Sequence, residues 1–98
     1  MAAIRLGNRM RVATISSSTP DVLTTAVGGT LKVYGTNSIA LYKTGNDGAT
    51  YDTSADIDKL LLIQNDKIEL EPNKSFDAQA ISGDTTILWM PRSTGRFL

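Results

Sequence analysis

The sequence predicts an all-β protein, a small antiparallel β-sandwich or barrel with extended arms at its amino and carboxy ends. Three observations carry that expectation. Polar and apolar residues alternate in Lys67-Ile68-Glu69-Leu70, and more loosely in Ser75–Ile81. Period-two alternation describes strands with one face buried and one in water. Turn residues recur about every 8–12 positions, the spacing of a sandwich or barrel. Ser and Thr total twenty of the 98 residues. The β-branch of Thr suits strands, and both hydroxyls suit turns.

The elements follow in chain order. Residues 1–9 read as an arm outside the compact core, with Arg5 and Arg9 interrupting its few apolar residues. The single β domain spans 10–90. Met10–Ser16, Val22–Val27, Leu31–Tyr34 and Ser38–Lys43 read as strands, separated by turn residues such as Gly28-Gly29 and Gly35-Thr36-Asn37. Thr44-Gly45-Asn46-Asp47-Gly48 reads as a solvated hairpin tip. Thr53–Leu60 reads as one helical turn or a loop, with Thr53 or Ser54 able to cap it and Asp56 and Asp58 favourable near its start. A buried strand Leu60–Gln64 follows. Residues 66–90 read as three consecutive antiparallel strands. Glu71-Pro72-Asn73-Lys74 supplies the first turn, because Pro72 pre-sets its own φ and Asn73 tolerates the next position. Ser82-Gly83-Asp84 supplies the second, and Pro91 ends the last strand. Residues 91–98 form a carboxy-terminal tail.

Composition excludes more than it proposes. Ninety-eight residues make one domain, which buries roughly 64% of the surface of its unfolded chain. With no Cys and no His, the chain has no disulfide, no thiolate site and no cysteine nucleophile, and it lacks the commonest general base. A Ser or Thr nucleophile would need Lys as its base, yet no Ser-x-x-Lys or Gly-x-Ser-x-Gly motif occurs. No enzyme activity and no cofactor are expected. Asp47, Asp52, Asp56 and Asp58 miss the EF-hand spacing, so no metal site is expected. Glu69 and Glu71 share the water-facing side of an alternating strand. Gly28-Gly29 lacks the spacing of a phosphate loop. The start has no signal-peptide apolar stretch. The longest apolar run, Leu60-Leu61-Leu62-Ile63, is far short of a membrane span.

Ten basic and ten acidic residues cancel, but they are segregated. All five Arg lie at the ends: Arg5, Arg9, Arg11, Arg92 and Arg96. All five Lys lie between, and nine of the ten acids fall within 47–84. Arg is favoured for planar contacts at interfaces, whereas Lys is a solvated point charge. The segregation fits either ordinary surface charge or two contact arms. Phe97 and Leu98 end a polar tail, and they would need a pocket on their own core or on a neighbouring subunit. The acidic body would repel phosphate, so direct nucleic-acid binding is not expected.

The stretch Ile68–Trp89, a strand, a Pro turn, a strand, a Ser-Gly turn and a strand, resembles small β-sandwich virion proteins of tailed bacteriophages, of the capsid decoration (cement) type. It covers about a quarter of the chain. The resemblance implies a non-enzymatic structural protein on the outside of the capsid. Its partners would be the major capsid protein or other virion subunits, and it would commonly be a homotrimer. Arg5, Arg9, Arg11, Arg92 and Arg96 would then face acidic capsid surfaces, and Phe97 and Leu98 would fill pockets. A phage tail, baseplate or fibre adaptor, or a cellular β-sandwich binding domain, is the alternative.

Overall fold

The computed structural model describes residues 3–43 and 59–92. The described residues form nine strands: β1 (Ala3–Leu6), β2 (Arg11–Ile15), β3 (Asp21–Thr25), β4 (Gly29–Val33), β5 (Ile39–Lys43), β6 (Leu60–Leu62), β7 (Lys67–Leu70), β8 (Ser75–Ala80) and β9 (Thr85–Pro91). No helix occurs among the described residues. The predicted helical turn from Thr53 falls mainly on residues outside them, as do Asn46-Asp47-Gly48, Arg96, Phe97 and Leu98.

The strands form two sheets, in the orders β1-β3-β8-β5-β6 and β2-β9-β4-β7. Pairing is nested: β2 with β9, β3 with β8, β4 with β7, and β5 with β6, all antiparallel. The chain from β2 to β9 is thus one long hairpin rolled up on itself, and it changes sheet at every connection except β5–β6. This is jelly-roll connectivity, one way in which an antiparallel protein covers its own faces. β1 joins outside it, pairing parallel to β3.

Alternation places the core. Trp89, Ile87, Leu31, Val33, Ile15 and Leu70 point inward from the four-stranded sheet. Ile4, Leu6, Leu23, Ile39, Leu41, Leu62, Ala78 and Ala80 meet them from the other. Trp89 is fully buried, and its indole N–H donates to the Gly7 carbonyl at 2.8 Å. Gly29 lies directly under the ring. A Cβ there would come within 2.7 Å of the indole carbons and 2.6 Å of the Met90 carbonyl, so only glycine fits beside Trp89.

Three expectations are corrected. Residues 3–6 are not an arm. Ile4-Arg5-Leu6 alternates, and its two apolar residues complete the core from β1. The three strands within 66–90 exist but are not neighbours. β7 and β9 both flank β4, and β8 lies between β3 and β5 in the opposite sheet. Their short turns step across the sandwich, whose sheets lie about 10 Å apart. The strand at Leu60 is short and only Leu62 is buried, because it is an edge paired with β5 alone. The turn chemistry agrees with expectation: Asn73 adopts φ 60°, and Ser82 and Gly83 adopt φ 66° and 141°.

Candidate docking surface

The registers divide the loops between two ends of the sandwich. One end holds the β1–β2, β3–β4 and β7–β8 turns, the departure from β5, and the exit from β9. The other holds the β2–β3, β4–β5, β6–β7 and β8–β9 turns. The arginines predicted as contacts gather at the first end. β1 runs into it with Arg5, the turn carries Arg9, and β2 leaves with Arg11. Trp89 of β9 faces Arg11 across the sheet, so Arg92 emerges at the same end.

Arg5, Arg9 and Arg11 line one open depression of about 300 Å³, with Gly7, Asn8 and Met10. No acidic residue lines it. Arg11 reaches across from one sheet to the other, donating from Nη1 to the Arg5 carbonyl at 3.0 Å. Trp89 fixes the same turn from beneath through its bond to Gly7. The basic rim is therefore held by two side-chain bonds to the β1–β2 backbone.

Beside the rim lies apolar surface. Inward-facing Trp89 leaves Leu88 and Met90 on the outer face of β9, both half-buried. Val12 faces Leu88 across the ladder. Val12 and Met10 are 64% and 66% exposed, the two most exposed large apolar side chains among the described residues. Met10, Val12, Leu88 and Met90 thus border the arginines on one side. Apolar centres flanked by Arg are the usual composition of protein contact surfaces. None of these four is among the contact residues predicted from the sequence. The signal was the parity of Trp89: once it faces inward, its two neighbours must face out.

Arg92 behaves differently from the other arginines. Its Nη2 donates to Glu69 Oε2 at 3.0 Å, and its backbone N–H donates to the Gly28 carbonyl at 2.8 Å. Glu69 also accepts from the Thr30 hydroxyl at 2.6 Å. The Thr30 hydroxyl, then Arg92, holds the Glu69 carboxyl below its ordinary pKa. Arg92 is thus tied within its own chain, on the outer face of the four-stranded sheet.

The opposite end exposes Tyr34 and Ile63, at 60% and 61%, but its polar groups are bonded to one another. Asp84 Oδ1 accepts from the Ser17 backbone N–H at 2.9 Å and from its hydroxyl at 3.2 Å. Asp21 Oδ2 accepts from the Ser16 N–H, and Gln79 donates to the Ser17 carbonyl. Asn37 donates to the Asp84 carbonyl.

No family model matches this chain, and no curated protein or solved structure matches it either.

Proposed function

We propose that the chain is a structural virion protein of a tailed phage, binding the outside of the capsid and stabilising it without chemistry of its own. The observation that carries the reading is the basic, partly apolar end: Arg5, Arg9 and Arg11 around one depression, beside Met10, Val12, Leu88 and Met90. The contact is a face of the folded body, not a free amino-terminal arm. Jelly rolls serve in viral capsids among other proteins, which agrees with the proposal at the level of fold analogy only. Individually weak contacts suffice on a capsid, because repeated display raises their effective strength.

The test is co-sedimentation with empty capsids of the phage that encodes the chain. Arg9→Glu is expected to lower bound protein at least tenfold while the fold persists. Normal decoration by that variant would reject the proposal. Light scattering tests the expected homotrimer separately.

A further inference from the structure

We propose that the free edge of β2 takes an extended acidic segment of the partner as a fifth strand of the four-stranded sheet. The inference rests on the docking role of this end, and it specifies what docks there. Among the described residues, β2 pairs with β9 on one side and is the last strand of its sheet on the other. An unpaired strand edge is a template for another chain. Of the usual protections β2 has one, the inward-facing charge of Arg11, which an acidic occupant would neutralise; its five residues Arg11-Val12-Ala13-Thr14-Ile15 hold no Pro and no Lys, and their register with β9 is unbroken. The other edges offer less. β6 has three residues, β7 carries Lys67 and the bonded Glu69, and the Arg5 carbonyl of β1 is taken by Arg11.

Charge selects the occupant. Arg11, Ala13 and Ile15 share the side that faces the gap between the sheets, and the depression that Arg11 lines with Arg5 and Arg9 lies at its end. Val12 and Thr14 share the outer side, beside Leu88 and Thr86. An added strand has the same alternation. It would therefore place acids toward the arginines and apolar residues beside Val12. Backbone pairing would supply affinity and the alternating side chains specificity. The residues after Arg92 include Arg96 and no acidic side chain, so their charge does not match this place.

The probe is the capped peptide (Val-Glu)₄, fluorescently labelled and titrated into the full chain. It is expected to bind at least tenfold more tightly than (Val-Lys)₄. Two further peptides carry backbone N-methyl groups on all Val or on all Glu residues. One of the two is expected to lose at least tenfold, because one register of amides must pair with β2. Binding should also slow amide exchange within residues 12–14. Equal binding of parent and both methylated peptides, equal binding of the lysine peptide, or no binding would overturn the proposal. So would β2 amides already protected without peptide, which would place a second copy or the chain's tail on the edge. The assay needs no capsid. Failure here with intact decoration would reject strand addition alone, and the reverse would reject the virion role alone.

Discussion

The two ends of the sandwich solve the same problem in opposite ways. Each must close loops over a β core with short polar turns. At the end built from Ser16–Thr19, Asn37 and Asp84, the loops bond to one another. At the other end, two side-chain bonds fix the backbone of the β1–β2 turn and leave Arg9, Met10 and Val12 pointing to water. The difference teaches where binding free energy remains available. Exposed apolar side chains occur at both ends, Tyr34 and Ile63 at the self-bonded one and Met10 and Val12 at the basic one, so the difference lies in charge: polar groups already bonded within the chain gain little from a partner, whereas the arginines gain more. A binding surface is more precise when rigid elements hold it.

Substitutions at each end should separate these roles. The largest loss is expected at Gly29. Gly29→Ala must displace Trp89 or the Met90 backbone, costing about 1–3 kcal/mol or more by overpacking. Urea unfolding would measure it, and capsid binding should fall as the turn above the ring shifts. Trp89→Phe keeps the aromatic body but leaves the Gly7 carbonyl without its indole donor. It should cost about 1–3 kcal/mol, again with weaker binding. Asp84→Ala removes the acceptor for both Ser17 donors and should cost about 1 kcal/mol. Capsid binding by that variant should stay unchanged, since its site lies at the far end. Equal loss of binding from Asp84→Ala and Trp89→Phe would erase the distinction between the ends.

The smallest effect is a pH dependence. Glu69 is depressed in the folded state by Thr30 and Arg92. A depressed carboxyl contributes stability that is present above its unfolded pKa and is lost as pH falls through the lower folded value. Glu69→Gln should therefore flatten the acid limb of a stability-versus-pH curve below the ordinary carboxylate range. The change should be slight, because the pair is exposed.

Much of this was legible in the sequence, and the boundary of legibility has a physical cause. Alternation marks which side of a strand is buried in Lys67–Leu70, and Arg11–Ile15 and Ser75–Ala80 were also recognisable as strands, although β8 is buried on both faces from Asp77 to Ala80. It does not name the partner. The nested pairing of β3 with β8 and β4 with β7 therefore stayed hidden, and three strands read as consecutive neighbours belong to two sheets. Ile4-Arg5-Leu6 was too short an alternation to outweigh its charge, so a core strand read as an arm. The arginines were visible as contact candidates. Their convergence was not, because it depends on β1, β2 and β9 ending at the same place. Nor was the capture of Arg92 by Glu69, which only the proximity of β7 to the end of β9 explains.

The central claim is that the Arg5–Arg9–Arg11 end is the surface that contacts the partner. The most direct test compares capsid co-sedimentation of Arg9→Glu with that of Asp84→Lys, a charge change of equal size at the opposite end. Loss of binding by at least tenfold in the first, with near-normal binding in the second, is predicted. Binding kept by Arg9→Glu and lost by Asp84→Lys would contradict it.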